Sequence, residues 1–368
     1  MVKLATLDLA QRTRMRQTAA ALSAFPANNL SSLAYKALLT RDPEAYAAAL
    51  EALPVNDKTE KELAQLKDQE RELIWRQARE KEILENERMT LVGAVFTDFP
   101  IAKLLNNLCD YNTSIHVVKI YHEVIVVVMS TDKPEQFLQY LRDNGADSVN
   151  LSLVPLISDK GAFVSDMDST MVTCECIDKI ASLCGIEDEV AAITEQAMQG
   201  KLDFAASLQK RVALLQGVAV ADFKNLIANL PVTPGADLLL KYLGDKGWQS
   251  ALVSGGFVPF AQAVAKALGF NTIHANVLGE ENGILTGKVE GEIVDAPYKA
   301  KVVASYQEQG LTTIAIGDGA NDIEMLKASN FAVAYHAKPV VDEHADFIIK
   351  QNDLRALLAI LEMRAWLN

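Results

Sequence analysis

Several kinds of feature are scarce in this sequence. No apolar stretch approaches the roughly 20 residues that a bilayer-spanning helix requires. The four cysteines are Cys109, Cys174, Cys176 and Cys184, without a Cys-x-x-Cys pair or a His-rich spacing. Such spacing argues against zinc and against a disulfide framework, and it fits reduced thiols in a cytoplasmic protein. Basic charge is also short, 35 Lys and Arg against 48 Asp and Glu, and the net charge of −13 opposes non-specific binding to nucleic acid or to an anionic membrane surface. Small molecules and proteins are the partners this leaves. Acids are nearly missing from the first 41 residues, where Asp8 faces Lys3, Arg12, Arg14, Arg16, Lys36 and Arg41, a balance shared with organelle transit peptides. Leu22, Phe25, Leu30, Leu33, Tyr35, Leu38 and Leu39, ended by Asp42-Pro43, read better as short packed helices.

What is present is a globular chain of 368 residues, half of them apolar, with room for two or three domains. Residues 58–88 form a charged stretch whose apolar positions, Leu63, Leu66, Leu73, Ile74, Ile83 and Leu84, predict a long solvated helix. Their spacing is too irregular for a coiled coil, and dimerisation stays open beside a linking role. Residues 1–88 are thus a helical N-terminal segment. From Thr90 to Pro155 the pattern becomes strand (Leu91 to Phe96), helix (Ile101 to Leu108), strand (Ile115 to Ile120), strand (Val124 to Met129), helix (Phe137 to Leu141), strand (Val149 to Leu156). That order predicts a ferredoxin-like α/β module over 89–157, whose role in ligand binding, dimerisation or structure alone stays open.

Beyond Gly161 short apolar strands alternate with helices: Ala162 to Val164, Gln249 to Val253, Thr272 to Ile273, Thr313 to Ile316 and Phe331 to Val333. The alternation predicts an α/β fold with a doubly wound parallel sheet over 158–368. A mostly helical insert at about 174–234 separates its first two strands. Ligands of such sheets bind at the carboxyl ends of the strands, so an insert leaving there would lie over the site as a lid.

The chemistry concentrates at those strand ends. Asp166 and Asp168 are two positions apart directly after Ala162-Phe163-Val164, which puts both carboxylates on one face of an extended segment. One can serve as nucleophile toward phosphorus and the other as acid and base. Ser254-Gly255-Gly256-Phe257 follows the next strand, a hydroxyl with glycines that admit a phosphate close to the backbone. Gly317-Asp318-Gly319-Ala320-Asn321-Asp322 sets carboxylates and an amide in a tight turn suited to a hard, oxygen-ligated cation. Tyr298-Lys299-Ala300-Lys301 offers a cation at a helix start. Each segment alone has an ordinary reading as a turn, a cap or a solvated lysine.

In this order the four segments resemble the haloacid dehalogenase superfamily, and Asp-Met-Asp-Ser-Thr with Ser-Gly-Gly-Phe resembles its phosphoserine phosphatases. The likeness covers about 160–350, and the module at 89–157 is similar to the amino-terminal, ACT-like part of some bacterial members. It implies Mg²⁺-dependent hydrolysis of O-phospho-L-serine through an aspartyl-phosphate, the last step of serine biosynthesis. Asp166 would be the nucleophile and Asp168 the acid and base. One Mg²⁺ would sit on Asp166, Asp318 and the backbone carbonyl of Asp168. Ser254, the Gly255 N–H and Lys299 would hold the phosphoryl group, with Asn321 and Asp322 in support. Lys299 is preferred to Lys301 because the family lysine opens its helix, and Pro297 supports that start. In the insert, Glu175 would hold the substrate ammonium and Arg211 its carboxylate, with Met198 and Phe204 as apolar neighbours. Alternatives are a phosphatase of another small phosphometabolite, a phosphotransferase using homoserine, and a serine-sensing regulatory protein. A homodimer stays open.

Overall fold

A computed structural model of the chain describes residues 89–97, 111, 113–198 and 201–367. The segment expected to be helical up to residue 88 and the helix expected at Ile101 to Leu108 lie outside the described residues. The rest divides into two compact units, one formed by Pro155–Leu354 and one by the described part of Ala5–Val154 with Arg355–Asn368.

The smaller described unit contains β1 (Thr90–Phe96), β2 (Ser114–Tyr121), β3 (Val124–Thr131), α1 (Pro134–Asp143) and β4 (Asp147–Asn150). These strands form an antiparallel sheet of order β2-β3-β1-β4. β2 and β3 meet in a two-residue turn in which His122 (φ 46°) and Glu123 (φ 67°) are both left-handed, the turn that matches the twist of a hairpin. One sheet face packs Ala94, Phe96, Ile125, Val127 and Met129 against Phe137 and Leu141 of α1. The last strand is shorter than the expected Val149 to Leu156. Asn150 Oδ1 accepts hydrogen bonds from Ser152 N (3.0 Å) and Ser152 Oγ (2.7 Å), and this local turn competes with continued pairing.

The larger unit opens with β5 (Gly161–Ser165), followed by the helices α2 (Cys176–Cys184), α3 (Glu187–Met198), α4 (Phe204–Ala213) and α5 (Phe223–Ala228). Then come α6 (Ala236–Asp245), β6 (Gln249–Phe257), α7 (Val258–Leu268), β7 (Thr272–Glu281), β8 (Ile284–Glu290) and α8 (Ala296–Gln307). The series closes with β9 (Thr312–Gly317), α9 (Ile323–Ala328), β10 (Phe331–Tyr335), α10 (Pro339–Asp342) and β11 (Phe347–Ile349). The sheet order is β11-β10-β9-β5-β6-β7-β8, parallel except at β7-β8, so the α/β fold with a parallel sheet is as expected. Small residues on one face, Ala162, Ala251, Ala315, Ala332 and Ala334, let α8 and α9 approach through Val302, Val303, Tyr306, Met325 and Leu326. Two strands escaped the sequence reading: β8, whose Lys288, Glu290 and Thr286 dilute the apolar signal, and the three-residue β11.

The helices between β5 and α6 leave and return side by side. Thr173 N donates to Pro231 O (2.8 Å) and Thr233 N to Met171 O (3.0 Å) around a bridge between Val172 and Val232. Their far part pairs with the β7-β8 hairpin, Gly217 N donating to Leu285 O and Leu285 N to Val218 O, each at 2.9 Å. That docking places α4 near the strand ends. The C-terminal helix α11 (Arg355–Trp366) belongs to the smaller unit and packs against its strands β1 and β3, with Ile360 facing Gly93, where a Cβ would stand 2.9 Å from its Cδ1. Among the described residues no helix is long and apolar enough to cross a membrane.

Candidate active site

β5 lies between β9 and β6 at the middle of the parallel sheet, and its ladder continues one residue further, Asp166 N donating to Ile316 O at 3.0 Å. Asp166 is buried, 5 % exposed, at the point where the chain leaves the sheet. Met167 turns into the core, and Met171 N and Val172 N return to its carbonyl at 2.8 and 3.0 Å. Asp168 follows on the open side. Its Oδ1 accepts from Cys176 N at 3.3 Å, the first residue of α2, and its Oδ2 lies 3.1 Å from where a Cβ on Gly256 would stand. A side chain at 256 would crowd that carboxylate. Ser169 is left-handed (φ 54°), a conformation a serine adopts at some cost, and it is tied down by Ser169 N to Cys174 O (3.3 Å) and Ser169 Oγ to Glu175 Oε1 (2.7 Å).

Lys299 is fully buried on the first turn of α8, which starts with Asp295 accepting from Tyr298 N at 2.9 Å and with Pro297 in its first turn. Lys299 Nζ donates to Asp166 Oδ1 (2.5 Å) and Asp322 Oδ1 (2.7 Å). Asp322 Oδ2 in turn accepts from Asp318 N (3.1 Å) and Gly319 N (3.0 Å), which shapes the turn after β9. Thr170 Oγ1 reaches Asp318 Oδ1 at 3.4 Å. Lys301 points away, exposed and 3.5 Å from Glu292. Carboxylate oxygens of Asp166, Asp318 and Asp322 all lie within 4.8 Å of one another. Two of Asp322's oxygens are already committed, so the fit to a hard cation rests on Asp166 and Asp318, with Asp322 as the brace.

Burial dominates the electrostatics. It pushes the Asp166 carboxyl well above its usual range; Lys299 opposes the shift, while Asp322 and Asp318 add to it. Asp318 is pushed up to about 7 by burial and then by Asp322 and Glu175. Asp168 is pushed up to about 7 by burial, with Glu175 adding to it and hydrogen bonds from Cys176 opposing it. For Lys299 burial works against the ammonium, yet Asp166 and Asp322 outweigh it and hold the group charged, above its ordinary value. The site therefore carries an excess of negative charge that a cation at Asp166 and Asp318 would relieve.

Ser254 is buried, 1 % exposed, and its Oγ accepts from Gly256 N at 2.8 Å. Phe204, the first residue of α4, lies over Gly255, where a Cβ would stand 2.8 Å from the ring's Cζ. Arg211, further along α4, is half-buried and donates from Nε to Ser207 O at 3.4 Å. Burial lowers its pKa, while Asp178 and Glu175 act in the opposite sense, so those two carboxylates are the charges it senses. Glu175 is exposed at the start of α2. Asn321 is half-buried in the turn, its Oδ1 against Gly319. Met198 ends α3, and its side chain lies outside the described residues. Sequence reasoning missed the Cys176 N–H on Asp168, because a backbone donor leaves no residue signature, and the double use of Asp322 by Lys299 and the turn amides.

Residues 160–330 match the family model of the haloacid dehalogenase-like hydrolases. The phosphoserine phosphatase of Haemophilus influenzae is 38% identical over 290 residues, 77% of this chain and 91% of the relative. That of Idiomarina loihiensis is 45% identical over 206 residues, 55% of this chain and 94% of the relative. Among solved structures, the unliganded form of a probable phosphoserine phosphatase from Vibrio cholerae aligns at a TM-score of 0.66 and 33% identity, covering 76% of this chain and 88% of that one.

Proposed function

Because the chain belongs to the phosphoserine phosphatase family of haloacid dehalogenase-like hydrolases, and is therefore a phosphatase, we propose that it hydrolyses O-phospho-L-serine to L-serine and inorganic phosphate. The observation that carries the reading is the pairing of two features at the strand ends. One is the Asp166, Asp168, Asp318 and Lys299 cluster; the other is Arg211 and Glu175 on the helices that follow β5. The first handles a phosphoryl group and the second suits a substrate bearing both carboxylate and ammonium.

Asp166 and Asp318, with the Asp168 carbonyl, would hold one Mg²⁺. Bound there, the ion would neutralise phosphoryl oxygens and let an anionic nucleophile approach. Asp166 attacks phosphorus, giving an aspartyl-phosphate. Asp168, whose carboxyl is pushed up to about 7, is protonated often enough near neutrality to give its proton to the departing serine oxygen, and once ionised it takes one from the water that hydrolyses the intermediate. The Ser254 hydroxyl, the Gly255 N–H and Lys299 balance charge on the transferring group, which is where most of the acceleration in phosphoryl transfer arises. Arg211 takes the substrate carboxylate and Glu175 its ammonium; Phe204 closes over Gly255, Met198 would be a further apolar neighbour of the substrate, and Asn321 and Asp322 steady the turn. The helices of about 174–234 act as a lid over this site. The four-stranded sheet, in the order of a ferredoxin-like fold, would be an ACT-like module at 89–157, preceded in sequence by a helical segment at 1–88 and followed by the phosphatase domain from 158, the helix Arg355–Trp366 returning to the module's unit. Serine biosynthesis in the cytoplasm is the setting that such an activity suits.

The test is kcat/KM for L-phosphoserine against phosphoglycolate and phosphoethanolamine, which lack the ammonium and the carboxylate respectively. A preference for L-phosphoserine of about tenfold or more over each supports the assignment, since a lost charge-assisted contact costs about 1.5–3 kcal/mol. Equal turnover of all three would leave a phosphatase and remove the substrate.

A further inference from the structure

Asn276, on β7, belongs to none of the four motifs, yet it is fully buried and both ends of its amide are used. Nδ2 donates to the Gly255 carbonyl at 2.8 Å, and Oδ1 accepts from Val294 N at 2.9 Å. The first partner lies in the turn that carries Ser254. The second immediately precedes Asp295, the residue that caps the helix of Lys299.

The reason for this arrangement lies in the sheet. The β6-β7 ladder loses its register between Val253 and Phe257, so the regular pairing steps over Gly255. A buried carbonyl without a partner is costly, and the Asn276 amide supplies what the ladder does not. Fixing the Gly255 carbonyl also fixes the peptide plane it shares with the Gly256 N–H, and that N–H donates to Ser254 Oγ at 2.8 Å. A hydroxyl oxygen that accepts there has its own hydrogen directed elsewhere, free for an incoming phosphoryl oxygen.

We propose that Asn276 is a positioning residue for phosphoryl transfer: its one buried amide sets the Ser254 hydroxyl and the start of the Lys299 helix in a fixed relation, so that both meet the same phosphoryl group. This rests on the reading above in which Ser254, Gly255 and Lys299 hold phosphate. Loss of the amide misorients donors that act most strongly in the transition state, and removal of one such donor typically costs about 10²–10³-fold in kcat.

The experiment compares the full-length wild type, Asn276→Asp, Asn276→Ala, Ser254→Ala and the Asn276→Asp, Ser254→Ala double variant. It reads kcat and KM on L-phosphoserine, inhibition by orthovanadate, and melting temperature. In Asn276→Asp the ionised carboxylate faces the Gly255 carbonyl and repels it, whereas the protonated carboxyl can remake both bonds. The expected result is a fall in kcat of about 10²-fold at alkaline pH with matching weakening of vanadate, a KM changed less than about threefold, and kcat recovering toward wild type as the pH falls. In the Ser254→Ala background the same substitution should cost under about threefold, because the hydroxyl it orients is gone. A folded Asn276→Asp variant with wild-type kcat and vanadate inhibition overturns the proposal, as does full additivity with Ser254→Ala. If Asn276→Ala fails to fold, the aspartate variant and its pH recovery decide. A Ser254→Ala variant with undiminished kcat is a different failure, that of the phosphate-site reading itself.

Discussion

The Lys299 ammonium lies 2.5 Å from Asp166 Oδ1 while fully buried, and it shares its charge with Asp322 at 2.7 Å. One cation is thus enclosed between the carboxylate at the end of β5 and the one in the turn after β9. Breaking a buried pair by removing one partner leaves uncompensated charge, at a typical cost of about 3–5 kcal/mol. Lys299→Met should therefore melt well below wild type by calorimetry and recover part of the difference on acidification, as the stranded carboxyls protonate. Lys301→Ala, at an exposed position, should melt with the wild type.

The same burial sets a pH dependence for the metal-free protein. Asp168 and Asp318 are raised from the unfolded value of 3.8 to about 7 in the fold, so between these limits the folded state binds more protons than the unfolded one. Stability from these two groups is fully present below the unfolded value and is lost as the pH rises through about 7. With chelator present, the melting temperature should fall from pH 5.5 to pH 8. Mg²⁺ should raise it, and by more at pH 8; an equal gain at both pH values would count against a site at Asp166 and Asp318.

Arg211 and Glu175 should separate binding from chemistry. Arg211→Ala is expected to raise KM for L-phosphoserine about 10–150-fold, corresponding to a lost charge-assisted contact of about 1.5–3 kcal/mol, with a smaller change in kcat. Steady-state kinetics check this. Glu175→Gln should act in the same direction and to a lesser degree, since the group is exposed and its oxygen is shared with Ser169.

Phe204 and Gly255 should be coupled. A Cβ at 255 would stand 2.8 Å from the ring's Cζ, so in Gly255→Ala the Phe204 ring, and with it α4 or the Ser254 turn, must shift. The expected effect is a loss of kcat/KM that Phe204→Leu partly restores in the double variant. Additive losses would mean that the two residues do not meet during turnover.

Much of this architecture was legible because it is written in side-chain pattern. The alternating apolar runs located five strands of the parallel sheet, although Thr272 to Ile273 marked only the start of β7, and the family resemblance, supported by Pro297, preferred Lys299, which the structure brings to Asp166 while Lys301 stays at the surface. What escaped was carried by backbone groups or by distant pairing. The Cys176 N–H on Asp168 has no residue signature, and β8 is a strand through its pairing with β7 and with Gly217 to Val218 more than through its own apolar content. Asn276 was invisible for a related reason: its importance comes from an irregular ladder that only the folded sheet reveals. The C-terminal helix was read as part of the phosphatase domain, whereas its contacts are with β1 and β3, a choice that its almost uniformly apolar sequence does not encode.

The central claim is that Asp166 attacks the phosphoryl group of L-phosphoserine. Its most direct test is phosphate release from L-phosphoserine in Mg²⁺ by the wild type and by Asp166→Asn, with circular dichroism to verify the fold. The account predicts Mg²⁺-dependent turnover by the wild type and a loss of at least about 10³-fold in the folded variant, as expected when a nucleophile is removed. Turnover by Asp166→Asn near the wild-type rate would contradict it.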